Sequence, residues 1–213
     1  MKKSHVITWS IVGVILLFDQ ILKFYIKTHL FLGESIPLLS WFQIVFIENP
    51  GMAFGMNLGS KLFLTVFRLI LSVVIAYYIV RLIRDNYKQS YISCIALIFA
   101  GAVGNIIDCL FYGVVFSESS PFQVAEFLPA TGGYASFLQG KVVDMFYFPL
   151  FTFPDGVPFV GGQVFFSPVF NVADSAITVG IFVLLLFFAH DFNATIDKYL
   201  PKKRSKKADE THA

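Results

Sequence analysis

The stretch from Phe170 to Phe188 limits the possible folds more than any other part of the chain. It opens Phe170-Asn171-Val172-Ala173-Asp174-Ser175 and then runs apolar from Ala176 to Ala189, broken only by Thr178 and Gly180. At about 1.5 Å per residue, an apolar helix of about 20 residues crosses a bilayer. Asn171 and Asp174 are three residues apart, so they share a helix face where that helix would enter the membrane. A carboxylate at that depth is expensive unless it faces the protein interior or water, which marks Asp174 as a functional position.

Three further apolar runs give the same class. Only 14% of the residues are charged, against about 25% in a soluble chain. A single four-span membrane domain is expected over residues 1–200, with spans at about 6–27, 62–83, 91–112 and 170–189 and a basic tail at 201–213. Lys2 and Lys3 before the first run resemble the start of a secretory signal, but Asp19 and Lys23 interrupt the run and no small-residue cleavage site follows. A retained helix is therefore expected. A net charge of +2 gives no reason to expect a nucleic-acid partner. Cys94 and Cys109 fall on one span about 22 Å apart, beyond the reach of a disulfide.

Between the first two spans, Trp41 to Ile47 reads as a strand bounded by turn residues, ending at Asn49-Pro50-Gly51. With its aromatics, this segment suits the membrane interface. Val142 to Phe146 is a second short extended run, and it carries Asp144. In the third span Gly101, Asn105 and Asp108 fall at i, i+4 and i+7 on one face. Asp19 and Lys23 are spaced i,i+4 with the acid first, as an ion pair requires. Such a pair either snorkels to the membrane surface or serves a buried site.

The cations fix an expected orientation. Lys2, Lys3, the link carrying Arg81, Arg84 and Lys88, and the basic tail share one side of a four-span chain. The positive-inside rule puts that side, with both termini, in the cytoplasm. Asp19, Asn49, Asn105, Asp108, Asp144 and Asp174 then gather at the opposite surface. Two carboxylates whose proton affinities are split by repulsion can act as acid and base on a water, without metal or covalent intermediate. No metal-ligand spacing, phosphate loop or histidine-activated serine competes with that reading, so no cofactor is expected. A proton-coupled transporter also uses intramembrane acids, although a relay would string them across the membrane.

Five segments, in order, resemble the lipoprotein signal peptidase (signal peptidase II) family. They are Asp19-Gln20 with Lys23, Asn49-Pro50-Gly51-Met52-Ala53-Phe54, Gly101 to Asp108, Val142-Val143-Asp144, and Phe170 to Asp174. The resemblance implies a mainly α membrane fold of four transmembrane helices with a small β-rich extracytoplasmic segment. It also implies an aspartyl endopeptidase of the bacterial inner membrane, working as a monomer among membrane lipids. Its substrates would be prolipoproteins with a diacylglyceryl-modified cysteine, cut on the amino side of that cysteine. By the same resemblance Asp144 and Asp174 are the catalytic pair. Asn49, Gly51, Asn105 and Asn171 contact substrate, while Asp19, Lys23, Gly104, Asp108 and Ala173 support them.

Departures from the family pattern are equally specific. Cys109 stands where the family usually has Arg, and a thiol cannot supply that planar charged fork. An inactive relative that only binds lipoproteins is the corresponding alternative. Met145 replaces a Phe, a tolerable apolar exchange. Two connections are lengthened, around 117–139 and 152–163. The first, rich in Ser, Gly and Pro and without clear periodicity, is expected to form a mobile lid or a partner surface outside the core.

Overall fold

The computed structural model describes residues 2–50 and 61–199. Gly51 and the basic tail lie outside the described residues. Helix α1 (Lys2–His29) leads into strands β1 (Ser35–Leu39) and β2 (Phe42–Asn49). Helices α2 (Lys61–Arg84) and α3 (Gln89–Ile107) follow. A π-helical segment, Asp108–Tyr112, and a single turn, α4 (Gly113–Val115), prolong α3. Strand β3 (Val142–Tyr147), the short pair β4 (Phe151–Thr152) and β5 (Val164–Phe165), and β6 (Val169–Phe170) precede α5 (Val172–Phe187) and α6 (Ala189–Tyr199).

α1, α2 and α3 with its continuation to Val115 are each long and apolar enough to cross a membrane; α5 with α6 makes a fourth if that bent pair is one span. α3 is the central helix, packed against α1, α2 and α5. Small residues let the helices meet. A Cβ on Gly101 would stand 2.2 Å from the Ala173 carbonyl oxygen, and one on Gly104 would stand 2.8 Å from the Asp19 carboxylate. The outer faces are bare apolar surface, with Phe63, Val73, Phe182 and Leu186 all exposed, as lipid-facing helices require.

The fourth expected span, 170–189, is shorter than its apolar run. Phe170 belongs to β6, because Asn171 caps α5 and a capping residue keeps extended dihedrals. At the other end the chain turns by 91° between α5 and α6. α6 is held there by the hydroxyl of Thr195, which joins those of Tyr78 and Tyr91, and by Lys198 and Tyr199 on Asp85.

An antiparallel sheet in the order β1-β2-β3-β6 caps the opposite end of the bundle. Its register sets Ile47 against Asp144, Glu48 against Val143 and Asn49 against Val142. Ile26 of α1, Leu30 just beyond its end, Tyr112, Phe116 and the sheet residues Phe46, Val143 and Met145 form one buried cluster beneath it.

The 117–139 connection does not stand off as a lid. Ser119 and Ala125 are buried, Tyr134 packs on the cluster just described, and Phe127 meets Phe24 edge-on and Phe116 at a tilt. Backbone bonds tie it down at Leu32–Ser120, Phe116–Tyr134 and Cys109–Gly140. Its apolar residues lack periodicity because they are held singly by other elements and form no helix or strand of their own. Cys94 and Cys109 are both free and buried.

Candidate active site

The site is assembled where the sheet meets the helix ends. Asn171 is its hub because its backbone and side chain serve different partners. As the N-cap of α5 its side-chain oxygen accepts from the Asp174 N–H at 2.8 Å, while the Asp174 carboxylate accepts from the Asn171 N–H at 3.2 Å. This reciprocal box satisfies two backbone donors that a helix start would leave bare. The fully buried Asn171 amide nitrogen is then free to point outward from the cap. It donates to Asp144 Oδ1 at 2.8 Å, Asn105 Oδ1 at 3.0 Å and the Val143 carbonyl at 3.2 Å.

Both carboxylates thus hang from one residue. Asp174 also accepts from Asn105 Nδ2 at 2.8 Å. It sits in the first turn of α5, where the helix dipole favours an anion. Asp144, 3% exposed, is pushed up to about 7, first by burial and then by the charge of Asp174. Hydrogen bonds from Asn49 and Asn171 and the charge of Lys23 oppose that rise without cancelling it. Asp144 therefore holds a proton more readily than an ordinary carboxyl does.

Beneath the pair lies a buried charge lattice. Lys23 Nζ stands 2.9 Å from Asp19 and 2.9 Å from Asp108, all three fully buried, and donates to Asn105 Oδ1 at 2.9 Å. The Asp19–Lys23 pair is therefore buried under the site and does not snorkel. Asp19 also accepts from the Ala173 N–H at 2.9 Å, and Asp108 from the Val143 N–H at 3.2 Å. These bonds hold the backbone beside Asp174 and Asp144 respectively. Gly104 is needed beneath Asp19, as its missing Cβ shows. A π segment begins at Asp108, a form that is frequent at functional sites.

Of the residues marked by sequence, Asp19, Lys23, Asn49, Gly104, Asn105, Asp108, Asp144, Asn171, Ala173 and Asp174 come together here, and Gly51 lies outside the described residues. Cys109 is buried away from this lattice, facing Thr65, Arg68 and Lys61 of α2. Asp108 takes its cation from Lys23 instead.

Sequence reasoning missed a second lattice. Lys27, fully buried, is paired with Glu48, which also takes Lys141 at 2.9 Å. Ser119 Oγ lies 2.9 Å from both Lys27 and Glu48, and the Tyr134 ring lies 4.9 Å from the Lys27 ammonium. Burial pushes the Glu48 carboxyl up, but the two lysines outweigh it and leave it below the ordinary range. The available signal was spacing, since Asp19, Lys23 and Lys27 lie at i, i+4 and i+8 on one face of α1. Gln20 was also undervalued. It donates to Asp19, Asp108 and the Gly104 carbonyl and accepts from Tyr112.

The family model for signal peptidase II matches residues 11–190. The chain belongs to the signal peptidase II family. A lipoprotein signal peptidase of Porphyromonas gingivalis is 44% identical over 209 residues, covering 95% of this chain and 92% of its own. Another from Amoebophilus asiaticus is 34% identical, covering 90% and 82%. A bacterial membrane enzyme solved by the in meso method at 2.3 Å resolution shares the fold with a TM-score of 0.57 at 23% identity, covering 94% of each chain. This signal peptidase II is accordingly a membrane-embedded aspartic-type endopeptidase of mainly helical fold with a small sheet.

Proposed function

We propose that Asp144 and Asp174 are the catalytic aspartates of this peptidase, and that it removes signal peptides from prolipoproteins on the amino side of a diacylglyceryl-modified cysteine. The observation that carries the reading is the single residue, Asn171, bonded to both carboxylates, with Asp144 raised to about 7. Asp174, at a helix N-terminus and accepting two N–H bonds, is the anion of the pair. Asp144 holds the proton.

In the reaction, Asp174 removes a proton from a water as its oxygen attacks the peptide carbonyl, and Asp144 gives its proton to the carbonyl oxygen. As the tetrahedral diol collapses, the proton now on Asp174 passes to the leaving amine, the C–N bond breaks, and a diol hydroxyl returns a proton to Asp144 as the new carboxyl forms, which restores the starting pair. Asn49 and Asn105 bear on substrate, the buried Asn171 holds the two carboxylates in place, and the Asp19–Lys23–Asp108 lattice fixes the backbone beside them. A lipidated cysteine suits a site at helix ends, because its acyl chains hold the scissile bond at the membrane surface. By the distribution of cations, the termini are cytoplasmic and the site faces outward across the inner membrane. The enzyme works as a monomer, since Asp144, Asp174 and the asparagines around them all come from one chain.

The test is purified protein in detergent with a synthetic prolipoprotein carrying diacylglyceryl cysteine. Mass spectrometry should find a product beginning at that cysteine, and the unlipidated peptide should stay uncut. Asp144→Asn and Asp174→Asn should each abolish cleavage while melting as folded proteins, and the double variant should be no worse. Cleavage by either folded single variant would overturn the assignment.

A further inference from the structure

Between β3 and β6 the chain leaves the sheet over residues 148–168. This excursion holds six phenylalanines and one charged residue, Asp155. Its root is continuous with the sheet, since Phe148 stacks on Trp41, Phe42 and Phe170. Farther out, β4 pairs with β5, and Phe165 stacks on Phe151 and meets Phe153 edge-on. Nothing among the described residues covers this cluster. Phe151 and Phe166 are half exposed, and Phe159 at the tip is 99% exposed.

Two features separate the excursion from an ordinary aqueous loop. Phe159 and Phe166 both have positive φ, at 67° and 60°, a conformation costing roughly 1–3 kcal/mol for a bulky side chain. The tip nevertheless holds its own backbone in order. The N–H groups of Phe153, Val157, Gly161, Gly162 and Gln163 all donate to carbonyls within the excursion. Polar backbone satisfied internally is the condition for leaving water.

The occupant follows from continuity. The excursion ends in β6, and one residue beyond β6 the apolar helix α5 begins. Its aromatic face therefore emerges where the bundle meets the bilayer surface, next to the exposed Trp41. The absence of Lys and Arg from 148–168 argues against the charged rim of an aqueous protein interface. Aromatic side chains concentrate at the membrane interface, where a ring can sit among headgroups and upper acyl chains.

We propose that residues 148–168 form an aromatic paddle inserted into the interfacial layer of the bilayer on the site side, with Phe159 at its deepest point. The partner is the bilayer lipid itself. The paddle holds β3 and the start of α5 at a fixed height, because it is rooted between the strand of Asp144 and the helix of Asp174. This inference rests on the chain being a membrane protein and not on the roles of the two aspartates.

The test uses the full chain in phosphatidylcholine vesicles. Trp9→Phe and Trp41→Phe remove both native indoles, and Phe159→Trp then supplies a single reporter. Lipid brominated near the headgroup end of its acyl chains should abolish most of its emission, and aqueous iodide should have little effect. Strong quenching by iodide with none by brominated lipid would overturn the proposal and leave a surface for a protein partner. If the indole-free chain does not fold, Phe159→Cys in the native background serves instead, because Cys94 and Cys109 are buried. A nitroxide there should relax faster with oxygen than with a water-soluble nickel chelate; the reverse order would overturn the proposal equally.

Discussion

Two excursions leave the neighbourhood of the sheet, residues 116–141 and 148–168, and both are rich in Phe, Pro and Gly. One is packed into the molecule and the other stands out from it, so apolar content does not decide the difference. Polar demand does. Lys27 and Glu48 are buried where water does not reach, and an ammonium buried without full hydrogen bonding costs several kcal/mol. The first excursion carries the groups that complete them, the Ser119 hydroxyl, the Lys141 ammonium and the Tyr134 ring. The second carries no group that a buried charge needs, and its aromatics pack chiefly on one another and on the rim of the sheet.

Excision is the strongest way to break this contrast. Removing 118–139 with a short Gly-Ser bridge should abolish folding, read as loss of a cooperative melt in detergent. Removing 152–163 in the same way should leave the melting temperature nearly unchanged. If the first deletion folds normally, the buried charges do not depend on that segment.

A smaller effect isolates the charge. Glu48→Ala leaves the Lys27 ammonium without its carboxylate and should cost about 3–5 kcal/mol. Replacing both, as Lys27→Met with Glu48→Gln, should recover most of that loss, because no uncompensated buried charge remains. Denaturant melts of the single and double variants decide it. A double variant as weak as the single one would mean that packing, and not charge, holds the excursion.

Asp144 is also a buried acid, and it differs from Glu48 in facing another carboxylate where Glu48 faces two lysines. The signs are opposite. Glu48 lies below its ordinary value, so it contributes stability at neutral pH that is lost as pH falls through its folded value. Asp144 is raised from 3.8 to about 7, so the fold loses stability as pH climbs from near 4 through about 7. Asp144→Asn should therefore be more stable than the native chain at pH 8, by about 1–4 kcal/mol. That advantage should vanish as pH falls toward 4. An inactive variant that is also less stable at pH 8 would show that Asp144 is held for structure.

The contrast also explains what was legible in the sequence. Asp174, Asn171, Asn105 and Asp108 could be placed because each breaks an apolar helical run at a spacing that fixes its face. Asp144 could be placed because a strand run surrounds it. Lys27 and Glu48 escaped notice because each sits near an element end, where a charge looks like ordinary surface. Only the sheet register, Glu48 against Val143, brings them under the site. The 117–139 segment was misread for a related reason. Its anchoring groups, Ser119, Phe127 and Tyr134, bind to other elements, and no periodicity records a contact made one residue at a time. Cys109 could not be interpreted without the fold, which hands Asp108 to Lys23 and turns the thiol toward α2.

The smallest expected effect lies at the tip of the exposed excursion. The rest of the protein leaves 99% of the Phe159 surface uncovered, so the fold itself draws almost nothing from its side chain. Phe159→Ser should change unfolding stability by no more than about 0.5 kcal/mol, as surface substitutions do. Phe159→Gly should be slightly stabilising, because glycine accepts the positive φ that phenylalanine resists. In lipid the order reverses. There the ring is buried in the interface, and burying a phenylalanine is worth about 1.5–3 kcal/mol, so both substitutions should weaken the attachment of the excursion. Comparing chemical unfolding of Phe159→Gly in detergent and in bicelles reads this directly. A gain of stability in both media would mean that the ring faces water in the membrane as well.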